Sequence, residues 1–145
     1  MFSHINPDNY QTQLSEKKAE IAEQFKQFNI PAIDVYTSEP INYRMRAEFR
    51  VWHDGDDLNY IMFNQETKEK YHVHDFPVAS VLINKTMSAL LDDVRSNTVL
   101  RQKLFQVDFL STLSGEMLVS LLYHKPLTEE WQSEATALAK RLSVI

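Results

Sequence analysis

The chain contains no cysteine among its 145 residues. That excludes a disulfide framework, a thiolate zinc site and a cysteine nucleophile within it. Glycine is nearly absent too. Gly55 and Gly115 are the only two, and they stand in the turn-like strings HDGDD and LSGE. Backbone cradles for phosphate use more glycine than this, and neither GxGxxG nor GxxxxGK[ST] occurs. No apolar stretch approaches the roughly 20 residues of a membrane span. The start, MFSHINPDNYQ, lacks the charged segment and apolar run of a secretory leader, which points to the cytoplasm and away from membranes. Positive charge is in deficit as well. A formal net charge of -5 excludes a surface that is basic all round, though not a local basic patch.

What is present is a chain with 43% hydrophobic residues, enough for one domain over 1–145 with a real core. Residues 6–28 read as an amphipathic helix, with Asn6 as N-cap and Pro7 at the first helical position. Its apolar positions are Tyr10, Leu14, Ile21, Phe25 and Phe28. Pro31 ends it, and residues 30–42 form an extended connector. Residues 43–53 alternate: Tyr43, Met45, Ala47, Phe49 and Val51 point one way, Arg44, Arg46, Glu48, Arg50 and Trp52 the other. HDGDD is the turn to a paired strand, Leu58 to Phe63. Residues 64–75 are loop or a ragged edge strand.

A second helix over 77–95 puts Ile83, Met87, Leu90, Leu91 and Val94 toward the core. Residues 104–112 and 117–124 form a second hairpin. LVSLLYH is apolar on both faces, which predicts a central strand covered on both sides. Thr128 caps a last helix with Trp131, Ala135, Leu138 and Leu142 on its apolar face. The order α-β-β-α-β-β-α predicts an α+β domain: a four-stranded, mainly antiparallel sheet of two hairpins packed with about three helices.

Three clusters could carry chemistry. Arg44, Arg46 and Arg50 share a strand face with Trp52. Arginine forks match phosphate and aromatics stack on bases, while the plain alternative is a solvated face offset by Glu48 and cross-strand carboxylates. HDGDD, with His72 and His74, could hold a metal and support a small hydrolase, or it could be a hairpin turn. In LRQKLFQVDF, Phe105 behind Arg101 and Lys103 could stack a base, or join Val107 and Phe109 on a buried face. His124, beside Lys125, could contact RNA or cap a strand end. No metal site and no catalytic set stands out.

The strings SEPINYRMRAEFRVWHDGDDLNYIMFNQETK, FPVASVLIN, NTVLRQKLFQVDFLSTLS and VSLLYHKPL closely resemble the N-terminal part of bacterial tRNA (uracil-5-)-methyltransferases. Those enzymes make ribothymidine in the T-loop. The resemblance implies a longer enzyme, whose C-terminal Rossmann-like half binds S-adenosylmethionine. In that half a cysteine attacks C6 of a flipped-out uracil and a glutamate removes the C5 proton. It implies that this chain is the tRNA-recognition portion, a fragment without catalytic residues, cofactor site or activity of its own. The resemblance further implies that Arg50 contacts the tRNA T-arm, that Phe105 packs against loop bases, and that His124 lies at the same surface. Arg44 and Arg46 belong to the matched block. Expected partners are the T-arm and the missing catalytic domain, with a dimer through the vacated docking surface as a further expectation. The alternative is a stand-alone protein-interaction domain, marked by an exposed apolar patch.

Overall fold

The computed structural model describes residues 5–143; what the sequence implies about its first residues and its terminal Ile145 lies outside them. Asn6 caps a short 3-10 turn over Pro7–Asn9, which leads into α1, Tyr10–Gln24. β1 is Arg46–Asp54, β2 Asp57–Phe63 and β3 Lys70–His72. Helices α2, Val81–Ser96, and α3, Thr98–Arg101, follow. β4 is Leu104–Ser111, β5 Met117–Tyr123 and α4 Glu129–Leu142.

The sheet has five strands, not four, in the order β3-β2-β1-β4-β5, with every neighbouring pair antiparallel. The added strand is the three-residue β3, whose Lys70 and His72 pair with Phe63 and Ile61. It is too short and polar for alternation to mark it. β1 is the middle strand. Its even alternation holds from Arg46 onward, with Ala47, Phe49 and Val51 buried and Arg46, Glu48, Arg50 and Trp52 exposed. The expected strand start at Tyr43 is not seen. There the backbone serves the segment before α2: Arg44 N–H donates to the Val78 carbonyl at 2.7 Å, and Ser80 N–H to the Arg44 carbonyl at 2.8 Å.

β5 is an edge strand, which corrects the central placement drawn from LVSLLYH. Val119, Leu121 and Tyr123 pack against the core, while Leu118 and Leu122 stand exposed on the other face. The strand is apolar on both sides, yet only its inner face is covered.

The core lies on the inner face, where α2 covers the sheet. Phe49 packs against Tyr60, Phe76 and Phe109 with ring centroids 5.5, 5.5 and 6.3 Å away. The Tyr60 hydroxyl is spent on the Met87 carbonyl at 3.1 Å, so a buried polar tip is satisfied. Ser80 caps α2 and shares its hydroxyl with Ser111 at 2.8 Å, tying the helix start to the end of β4. α4 is capped by Thr128, as expected, and sinks Leu138 into the core.

α1 departs from expectation. It ends at Gln24, and none of its residues is buried. Tyr10 and Leu14 are half-buried, while Ile21, Phe25 and Phe28 are exposed. The sheet's inner face is already filled by α2, so α1 lies beside the β2–β3 edge across an open groove of about 1190 Å³.

Replacing Phe49 by alanine should cost about 3–5 kcal/mol, the usual range for a fully buried phenylalanine. Urea denaturation of the variant checks this, and a loss under about 1 kcal/mol would mean that Phe49 is not the centre of the packing.

Candidate nucleic-acid interface

The site is built on an irregularity in β4. Along β1, the ladder with β4 runs from Arg46 opposite Leu110 to Arg50 opposite Gln106. On the other side, Gln106 faces Leu122 but Leu104 faces Tyr123, so β4 carries one extra residue, Phe105. Val107 and Phe109 point inward and are buried. Strict alternation would send Phe105 the same way. A bulge instead lets Leu104 take the inner position, at 2% exposure, and turns Phe105 outward. Phe105 is half-buried and lies outside the core cluster.

On that outer face three side chains meet. The Arg50 guanidinium carbon sits 4.3 Å from the centre of the Phe105 ring. The His124 ring stacks on Phe105 with centroids 3.9 Å apart and planes 26° apart. Arg50 reaches this position from the middle of β1, Phe105 from the bulge and His124 from just past the end of β5. Among the described residues Arg50 has no carboxylate partner in an ion pair. An exposed cation–π contact is worth about 0.5–1 kcal/mol. Stacking of a nucleic-acid base on an aromatic ring is worth about 1–3 kcal/mol. A base can therefore displace the internal contact and release the guanidinium toward phosphate.

The other arginines do not join this group. Arg44 lies before β1 and its Nε donates to the Arg46 carbonyl at 2.7 Å. Arg46 pairs with Glu48 on the same strand face. The acidic turn is occupied structurally. Asp57 accepts from Arg95 Nε at 2.7 Å, and Asp56 from Arg101 at 2.9 Å, which fastens the β1–β2 hairpin to α2 and α3. Gly55 carries a φ of +59°, the left-handed turn position that favours glycine. His72 and His74 stand together, 6.3 Å apart, but on and beyond β3 rather than at that turn. Among the described residues no cluster of histidine and carboxylate is placed to hold a metal ion.

Two features of this region were not visible in the sequence. Lys70 of β3 places its Nζ 3.1 Å from the centre of the Trp52 ring, so a second cation–aromatic pair shares the outer face. The pairing of β3 with β2 that brings them together is the strand that alternation did not mark. The second is His53, whose Nε2 lies 2.8 Å from the Leu104 carbonyl. Only the string WHDGDD hinted at that histidine, as a metal ligand.

Fold and surface together define an α+β module with an open antiparallel sheet face that presents a cation–aromatic stack, an arrangement suited to unpaired nucleotides. The chain belongs to the tRNA (uracil-5-)-methyltransferase family, whose sequence profile matches residues 9–145. It is 63% identical over 145 residues to a tRNA/tmRNA (uracil-C(5))-methyltransferase of Colwellia psychrerythraea, covering 100% of this chain and 40% of that protein. It is 59% identical over 139 residues to the enzyme of the same name from Vibrio atlanticus, covering 38% of that protein. The Pseudoalteromonas translucida enzyme is 56% identical over the same length. The chain thus spans about 40% of the length of the curated relatives it matches.

The hairpin latch also has an electrostatic signature. The Leu58 N–H, and after it the Arg95 guanidinium, hold the Asp57 carboxyl below its ordinary value of 3.8. A depressed folded pKa adds stability above the ordinary value, and that stability is lost as pH falls through the folded one. Asp57→Asn should therefore be less stable than the parent at neutral pH, with the gap closing below about pH 4. Thermal melts at pH 7 and pH 3 check this; an equal gap at both would mean that the latch does not depend on the carboxylate charge.

Proposed function

We propose that this chain is the T-arm-recognition part of a tRNA uracil-C5-methyltransferase. The observation that carries the reading is the Arg50–Phe105–His124 stack. These residues lie far apart in the sequence, each stands in a string that resembles the family, and the fold gathers them on one open face. In this reading Phe105 and His124 offer a platform to loop bases and Arg50 answers the phosphate beside them. Arg44 and Arg46 contribute to the positive field nearby, with Arg46 tempered by Glu48. The net charge of -5 is tolerable because the contact is local and shape-dependent.

Methyl transfer from S-adenosylmethionine to C5 of the T-loop uridine belongs, in this reading, to the portion of the relatives that the chain does not span. The described residues do not fit that cofactor. Every strand pairing in the sheet is antiparallel, and both glycines sit at hairpin turns rather than in a strand-to-helix loop. The chain alone then binds without catalysing. Among the described residues no helix is long and apolar enough to cross a membrane. A tRNA-modifying role, in this reading, is exercised in the cytoplasm.

The catalytic portion is the second partner. Phe25, Phe28, Ile33 and Tyr36 expose apolar area along the end of α1 and the connector after it, and Tyr36 is 91% exposed. The Phe25 and Phe28 rings lie together, with centroids 6.2 Å apart, and exposed area of this kind suits a docking surface, or a dimer when that surface is free. The same run would serve a stand-alone interaction domain, but that reading leaves the outer-face stack without a role.

Binding of a labelled T-arm stem-loop to variants tests the assignment. Phe105→Ala should weaken binding by about 1–3 kcal/mol at an unchanged melting temperature. Arg50→Ala should weaken it too, and should also reduce the slope of log K against log salt by roughly 0.7–0.9, as for one lost phosphate contact. Unchanged affinity in both variants would remove the stack from recognition. A drop in the melting temperature of Phe105→Ala, on the scale of a core cavity, would return that ring to packing.

A further inference from the structure

We infer that His53 is a positioning residue that sets the outward aim of Phe105; the inference rests on the recognition reading above. Its basis is where the β1–β4 ladder stops. The last paired residues are Arg50 and Gln106, yet β1 continues to Asp54. Beyond Gln106 the bulge pulls β4 out of step, so the Leu104 carbonyl has no ladder partner on β1. The His53 ring fills the gap at 2.8 Å. A carbonyl only accepts, so Nε2 carries the proton and donates.

On the other side, the His124 N–H donates to the Lys103 carbonyl at 3.0 Å. Lys103 itself is held at a φ of +63°, a left-handed conformation that a lysine adopts at a cost. The peptide links on both sides of Leu104 are thus pinned, one by a side chain from β1 and one by the backbone after β5. Between them the chain has one way to enter the bulge, and Phe105 leaves it toward Arg50 and His124. Without the His53 bridge, β4 is free to return to regular alternation, which would swing Phe105 toward the inner face. His53 need not touch RNA for this. It acts through Phe105.

The test reads the stack directly. In proton NMR, the carbon-bound ring protons of His124 lie over the Phe105 face and are shifted upfield; Phe105→Ala defines their unshifted position. His53→Ala should move them toward that position. His53→Gln, whose amide can still donate, should keep them near the parent value. His53→Asn, too short to reach, should behave like alanine and serves if the alanine variant folds poorly. His124 resonances that stay in place in both His53→Ala and His53→Asn would overturn the inference, whether or not the chain binds RNA.

A second arm uses the T-arm stem-loop. His53→Ala should lower affinity several-fold in the parent but cause no further loss in a Phe105→Ala background. An equal loss in both backgrounds would show that His53 contacts RNA on its own account and would overturn the positioning role. If the parent chain does not bind the stem-loop, the recognition reading fails while the NMR comparison still decides the role of His53.

Discussion

One extra residue in β4 determines what the outer face of this sheet can do. Regular alternation would bury Phe105 beside Val107 and Phe109 and leave Arg50 over a bare strand. The bulge hands the inner position to Leu104, so the core keeps its filling, and frees an aromatic ring for the surface. The stack of Arg50, Phe105 and His124 follows from that single step in register. It also has to be held. The ladder between β1 and β4 ends one residue short of the bulge, and side-chain and backbone hydrogen bonds from neighbouring strands take over.

The charged residues divide by the same logic. Arg95 and Arg101 are used up in fastening the β1–β2 turn to the helices, through Asp57, Asp56 and the carbonyls beside them. Arg46 is offset by Glu48 and Arg44 is turned to backbone. Arg50, with no ion pair among the described residues, lies over an aromatic ring, a weak and reversible contact. An acidic protein can therefore present a usable cation at a chosen place. Stability is concentrated on the inner face, around Phe49, Tyr60 and Phe109, and the outer face can exchange its contacts without disturbing the core.

Where a feature follows from local period or capping chemistry, it could be read in the sequence. The inward and outward residues of β1 from Arg46 on, the caps at Thr128 and Asn6, and the glycine turn at HDGDD are of this kind. Features that depend on distant partners were not legible. β3 exists because β2 offers it an edge. β5 looks central because it is apolar on both faces, and only the sheet order shows that one of those faces is open. α1 has an amphipathic pattern but finds the inner face already covered by α2. A bulge has no compositional mark, so spacing alone favours burying Phe105; the expectation of a surface position came from family resemblance. His53 was visible only as a possible ligand, since its carbonyl partner lies 51 residues away.

The most direct measurement is fluorescence anisotropy of a labelled T-arm stem-loop against a hairpin of equal length with a scrambled loop, at two salt concentrations. Recognition by this chain predicts tighter binding to the T-arm, weakened but still preferential at the higher salt. Equal binding to both hairpins, or none to either, would contradict it and leave the outer-face stack as a structural feature of the sheet.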